Sequence, residues 1–473
     1  MKTKIFILSA FLVSVFLLKA EIKVASVLGD NMVLQRNTEV KLWGKAKPTE
    51  KLSITTSWNN IKTNATCNEK GEWLIKVKTT EGGGPYTITI ASNKEKIELK
   101  NVLLGEVWLC SGQSNMEMPI YGFNGCPVNN SLDFIVDGDN DNIRMFTVLK
   151  NSTNLPQDTC GGSWMIASSG TVGKFSAVGY LYAKQLQQRL KVPVGMISSS
   201  WGGSPIEAWM DKASLAKFPE ALARKSQEQT PLHHKASQLF KGMIYPLLNY
   251  TIKGAIWYQG ETNRDYSKDY VGQMAALIEG WRNDFGLGQF PFYFVQIAPY
   301  NYDKSNGITS ALLREAQLKA SLNIPNCGMV STIDIGNEEN IHPAEKLIVA
   351  KRLSYWALSK TYSVGGISCE NTVFKNVVAQ DSSLLVSFDN IGRGFAISQK
   401  EIDNLEIAGA DKVFYPAKAA IVNRSLQLKV WSSQVPKPVA VRYAFHNFPQ
   451  GKDFLYNVSG LPLSSFRTDD WDK

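Results

Sequence analysis

The segment Glu106-Val107-Trp108-Leu109-Cys110-Ser111-Gly112-Gln113-Ser114-Asn115-Met116-Glu117 carries an apolar strand into a tight turn and then into a helix start. A run this apolar reads as a strand buried on both faces, as in a parallel sheet covered by helices. A serine on such a turn has its hydroxyl held at the carboxyl edge of the sheet. The helix N-terminus there offers backbone N–H groups to a developing oxyanion. Ser114 is therefore the candidate nucleophile. Ser114 and Glu117 also have capping-box spacing, so this segment alone fits a simple helix cap equally well.

Working outward, strand-like runs at 102–110, 192–199, 254–258, 292–297 and 328–333 alternate with helical stretches at 181–190, 266–285 and 310–321. That alternation predicts an α/β domain over 101–360, with its site at the carboxyl ends of the strands. Residues 21–100 instead alternate apolar and polar side chains, as in Tyr86-Thr87-Ile88-Thr89-Ile90, between turn signals such as Lys47-Pro48-Thr49. They predict an N-terminal β domain, with a sandwich the expected form. Residues 361–473 return to short alternating strands, for example Leu384-Leu385-Val386-Ser387-Phe388, and predict a C-terminal β region. Residues 1–20, with Lys2 and Lys4 before an apolar stretch and Lys19-Ala20 after it, have the layout of a secretory signal, expected to be removed. No other apolar run is long enough to span a bilayer, so an exported protein without a membrane anchor is expected.

Composition narrows the function. The chain has 473 residues, 44% of them hydrophobic and 20% charged, which are globular values that leave no room for a disordered or rod-like chain. The formal charge of +9 falls to +6 without Lys2, Lys4 and Lys19, and the remaining cations form no basic block, so no nucleic-acid partner is expected. Six cysteines show no C-x-x-C spacing and no paired histidine, so neither a metal nor a redox centre is expected. Cys126 and Cys160, both in a polar, loop-like stretch, are the one pair expected to form a disulfide.

Only four histidines are present: His233, His234, His342 and His446. His342 lies in Asp334-Ile335-Gly336-Asn337-Glu338-Glu339-Asn340-Ile341-His342-Pro343, a loop that follows a buried strand, and is the candidate base. The other three are expected to tolerate substitution. Two more post-strand loops contribute candidates. Trp201-Gly202-Gly203-Ser204-Pro205-Ile206-Glu207-Ala208-Trp209 places two glycines, which allow close approach to a ligand, before a helix start. Trp257-Tyr258-Gln259-Gly260-Glu261-Thr262-Asn263 clusters amides and a carboxylate at a strand end.

Together these four blocks resemble the sialate O-acetylesterase family of the SGNH hydrolases. Leu28-Gly29-Asp30-Asn31-Met32-Val33-Leu34-Gln35-Arg36 and the closing segment from Gly460-Leu461-Pro462 to Trp471 are similar to that family's two ends. The resemblance implies an α/β fold of the SGNH type, a flavodoxin-like three-layer parallel sheet flanked by N- and C-terminal β-sandwich-like regions. It also implies hydrolysis of O-acetyl esters on sugars through an acyl-serine, with no metal or organic cofactor. Ser114 would attack, and His342 would carry the proton. The chain departs from the pattern twice. Where many relatives have Asp three residues before the histidine, this chain has Glu339. Glu339 is the first candidate for the acid, Asp334 the second, and a Ser/His dyad held by a backbone carbonyl the third. The third block lacks the usual Gly-x-Asn spacing, so the Gln259 amide is the favoured oxyanion donor and Asn263 the next, completed by the backbone N–H groups of Ser114 and Gly203.

O-acetylated sialic acid is the leading substrate expectation, and acetyl xylan or another hemicellulose the alternative. Arg314 is the one guanidinium considered for a sialate carboxylate, against a helix-surface ion pair. A reading of a different class, a non-catalytic sugar-binding protein, rests on the two β regions and 12 tryptophans. Oligomeric state is not legible.

Overall fold

In a computed structural model, residues 21–302, 304–396, 402–423 and 426–471 are described, and the expected leader at 1–20 lies outside them. The organising element is the 17-residue strand Lys96–Gly112. Its first half pairs antiparallel with Gly83–Ala91 and parallel with Val33–Gln35, inside the N-terminal β region. Its second half lies between Val194–Ser200 and Gly254–Tyr258, parallel to both. One strand thus runs unbroken through the expected boundary at 100/101, so the nucleophile turn is braced from the N-terminal region.

The sheet order is Trp164–Ala167, Asn140–Thr147, Val194–Ser200, Lys96–Gly112, Gly254–Tyr258, Phe292–Val295, Cys327–Val330. All neighbours are parallel except the first pair. The chain order reverses on either side of the Lys96–Gly112 strand, and such a switch point opens a crevice at the carboxyl ends of the strands.

Side chains alternate between two cores. Trp108, Cys110, Ile256, Tyr258, Tyr293 and Val295 join the one containing Tyr180, Leu181 and Leu186 of the helix Ala177–Leu190 and Leu353 of the helix Lys346–Trp356. Val107, Leu109, Ala255, Trp257, Phe292 and Phe294 join the other, with Leu277 and Trp281 of Ser267–Phe285 and Leu313 of Thr309–Asn323. Period-2 alternation within wholly apolar runs puts helices on both faces, and full burial of each such side chain contributes about 1.5–3 kcal/mol.

That second core continues into the N-terminal region through Val40, Leu42 and Trp43. Polar ties reinforce the junction: Tyr250 Oη donates to Val33 O at 2.7 Å, and the Arg36 guanidinium meets Glu106 at 2.7 Å. The C-terminal region forms two four-stranded sheets that share a separate core of Leu384, Val386, Val430, Ile407, Val441 and Phe466. Seven of the 12 tryptophans (Trp43, Trp73, Trp108, Trp164, Trp209, Trp257, Trp281) are buried, so most of the aromatic content is structural. Among the described residues no helix is long and apolar enough to cross a membrane.

Candidate active site

Ser114 is the first residue of the short helix Ser114–Glu117, whose N-cap is Gln113 without a side-chain cap. The serine is therefore not capping the helix. As a first-turn residue it has no intrahelical acceptor for its N–H. The turn depends on Gly112, where φ is +136° and an added Cβ would lie 2.1 Å from Tyr258 O. No other residue fits there without moving the neighbouring strand.

The glycine block closes on this turn. A Cβ on Gly202 would sit 3.3 Å from Ser114 Cβ, and Gly202 N–H donates to Glu117 Oε2 at 2.5 Å. Lys150 pairs with the other oxygen of Glu117 at 2.6 Å and lies over the Trp201 ring. Gly203 has φ +73°, and the Nε2 atoms of His233 and His234 lie 3.6 and 3.7 Å from where its Cβ would be. His233 stacks on Trp201, with ring planes 6° apart. The segment Leu232–His234 therefore walls the cleft beside the glycine block, a place its sequence did not signal.

A buried polar network fastens the other two blocks to the nucleophile turn. Asn115 Nδ2 donates to Glu261 Oε1 at 2.7 Å and to Ile341 O at 3.0 Å, and Lys346 Nζ donates to Asn115 Oδ1 at 2.6 Å. Gln113 Oε1 accepts from Gly260 and Thr262 N–H. The residue after Ser114 thus holds the residue before His342. Burial lowers the Lys346 ammonium to about 7, against the pull of Glu261, and raises the Glu261 carboxyl.

His342 is half-buried, edge-on to Phe123 with ring centroids 5.3 Å apart. Its Nδ1 faces Cys126 Sγ at 3.7 Å, and its Nε2 is buried without a hydrogen-bond partner among the described residues. Burial first, then the Lys346 cation, push this imidazole down to about 4. No cluster of three or more His, Cys, Asp or Glu side chains that could hold a metal ion occurs among the described residues.

A sequence profile of the family described as carbohydrate esterase, sialic acid-specific acetylesterase, matches residues 104–350, more than half of the chain. The chain belongs to this family. It is similar to the sialate O-acetylesterase of Mus musculus, at 27% identity over 90% of each chain. The sialate O-acetylesterase of Homo sapiens is 30% identical over 73% of this chain and 72% of its own. The crystal structure of a carbohydrate acetylesterase from Xanthomonas citri superposes with a TM-score of 0.87 at 33% identity, covering 95% of this chain and 100% of that one. The esterase activity and the family implied by the four blocks are borne out, and the protein is a carbohydrate O-acetylesterase.

Within this esterase the carboxylates expected near His342 lie elsewhere. Glu339 is exposed; its N–H donates to Asn337 Oδ1 and no hydrogen bond joins its side chain to the imidazole. Asp334 is bound in two places by Arg352, at 2.7 and 2.6 Å, and accepts from Tyr456 Oη at 3.0 Å. It staples the C-terminal region to the central domain. Asp334→Asn leaves Arg352 buried without its counter-charge and is expected to cost about 3 kcal/mol or more of stability with kcat retained. Glu339→Gln, at an exposed site, should keep stability within about 0.5 kcal/mol and kcat near wild type. Thermal melts and p-nitrophenyl acetate rates check both, and a large kcat loss in Glu339→Gln would return the acid to that residue.

The expected oxyanion amides are likewise engaged. Gln259 is fully buried and spends both amide hydrogens, on Asn263 Oδ1 at 2.7 Å and Ser204 O at 3.2 Å. Asn263 donates to Glu207 and accepts from Ile206 N–H, also fully buried. Both brace the glycine block from beneath, so neither amide is presented as a free donor.

Arg314 is fully buried and donates to His446 O and Ser310 Oγ, tying the C-terminal region down; it is neither a surface ion pair nor a ligand for an anion in the cleft. His446 pairs with Glu406 at 2.8 Å, away from the cleft. The expected Cys126–Cys160 disulfide is not formed. Cys126 packs on the histidine loop, whereas Cys160 is buried against Ser26 of the N-terminal region.

Proposed function

We propose that this esterase removes O-acetyl groups from sialic acids through an acetyl-Ser114 intermediate. The carrying observation is the convergence on one turn of Ser114, Gly202, where even an added Cβ would press on Ser114 Cβ, and the His342 loop fastened through Asn115. Ser114 Oγ attacks the acetyl carbonyl carbon while His342 Nε2 takes its proton. The N–H groups of Ser114 and Gly203 receive the charge on the carbonyl oxygen. Collapse breaks the ester C–O bond, and His342 gives the proton to the leaving sugar oxygen, which departs as the hydroxyl. Water then repeats the sequence on the acetyl-serine and releases acetate. His342 is the base of a Ser/His dyad, and among the described residues no carboxylate hydrogen-bonds its imidazole.

Sialate as the substrate is supported by the names of the mouse and human relatives. A second reading, an acetylated neutral hemicellulose, is favoured by the burial of Arg314, which removes the guanidinium considered for a sialate carboxylate. Acetate release from purified O-acetyl sialic acid and from acetyl xylan, side by side, tests the choice. A higher kcat/KM on the sialate is expected, and turnover of xylan alone would overturn the reading.

The same proposal includes an SGNH-type three-layer domain over 101–360, sandwich-like β regions over 21–100 and 361–473, and export after removal of 1–20. It is supported by the two alternating cores and by the secretory layout of the first 20 residues.

A further inference from the structure

Resting on the Ser114/His342 reading, we propose that Cys126 is the positioning residue for His342, its sulfur taking the place beside Nδ1 that a carboxylate takes in a triad.

Three observations converge on it. Cys126 Sγ is 3.7 Å from His342 Nδ1 and 3.3 Å from Asn340 Oδ1, and Asn340 Oδ1 also accepts from His342 N–H at 2.9 Å. The thiol hydrogen goes to Asn340, and the sulfur lone pair accepts the Nδ1–H. That arrangement fixes the tautomer whose Nε2 carries a lone pair, the atom a base needs.

The second observation is that the sulfur is held. Phe123 and Cys126 exchange backbone hydrogen bonds of 2.9 Å in both directions, and Gly122 N–H donates to Pro119 O, so the turn springs from the segment just after the nucleophile helix. Phe123, on the same turn, lies edge-on to the same imidazole. The third is that neither expected carboxylate competes for the ring, since Glu339 is exposed and Asp334 is taken by Arg352 and Tyr456.

A neutral thiol orients an imidazole without stabilising its cation as a carboxylate does. The charged and titratable groups facing His342 are Lys346, whose own partners are Asn115 and Glu261, and Cys126. Among the described residues nothing anionic touches the ring, in keeping with its low proton affinity.

The test is a pH–rate profile for Cys126→Ala, Cys126→Ser and Cys126→Asp beside His342→Ala. Cys126→Ala should lower kcat by about 10- to 100-fold with KM little changed, because the base is misplaced and no substrate contact is lost. Cys126→Ser, which keeps a donor and an acceptor, should recover part of that loss. Cys126→Asp should move the acid limb of kcat/KM up by about 1 to 3 pH units, since an adjacent carboxylate favours the imidazolium. Cys126→Ala with kcat within about twofold of wild type, or Cys126→Asp with an unmoved acid limb, would overturn the proposal, and the second decides alone if the alanine variant does not fold. Wild-type rates in the Cys126 variants beside a dead His342→Ala would remove only this inference, whereas an active His342→Ala would remove the dyad reading itself.

Discussion

Ser114→Ala is expected to lower kcat by about 10³-fold or more with the fold intact, the largest effect of any single change in the chain. The size follows from what the hydroxyl does: no other nucleophile stands on the turn, and nucleophile and base act as a unit, so loss of one removes nearly the whole chemical step. What survives comes from the N–H groups that still bind the carbonyl oxygen. Because Ser114 is half-buried and is not the N-cap of its helix, the substitution removes no cap and leaves no large cavity. Unfolding is therefore not the expected route to inactivity. Circular dichroism with steady-state rates separates the two, and a folded Ser114→Ala protein at wild-type rate would remove Ser114 from the mechanism.

His342→Ala should be nearly as damaging, by about 10²- to 10⁴-fold in kcat, the range set by general-base catalysis. Its protonation gives the sign of the pH dependence. The neutral imidazole is the working base, and burial with the Lys346 cation nearby lowers its proton affinity to about 4. Activity is then lost only as pH falls through that region, well below the point where an ordinary histidine charges. A kcat/KM profile with its acid limb near 6.5 or above would contradict this environment for the base.

The central strands were legible because parallel strands buried on both faces leave continuous apolar runs, and 254–258 coincides with the observed Gly254–Tyr258. The strand Asn140–Thr147, second from the edge of the sheet, was missed because it begins Asn-Asp-Asn, with exposure at its start that breaks the pattern. The helix Lys346–Trp356 was missed for a related reason. It has no side-chain cap and buries Lys346 and Arg352, whose charges are satisfied by residues far along the chain.

The site divides in the same way. Ser114 and His342 could be read because each sits in a local motif on a strand-end turn. The histidine's partner could not, because it depends on tertiary pairing. Nothing near Asp334 in sequence announces that Arg352 and Tyr456 will hold it. Gln259 looked like a donor at a strand end until Ser204 O and Asn263, four residues on, took its hydrogens. Cys126 was read for its possible pairing with Cys160, and its closeness to a histidine 216 positions away is visible only in the fold. The wall made by His233 and His234 likewise comes from a loop brought against Gly203 by packing.

The most direct test of the account is to quench the enzyme during turnover of an O-acetylated sugar and map the acetyl group by peptide mass spectrometry. The account expects acetyl on the peptide carrying Ser114, absent in Ser114→Ala and lost on further incubation with water. Sugar deacetylation with no acetyl on that serine, or acetyl on another residue that forms and decays at the turnover rate, would contradict it.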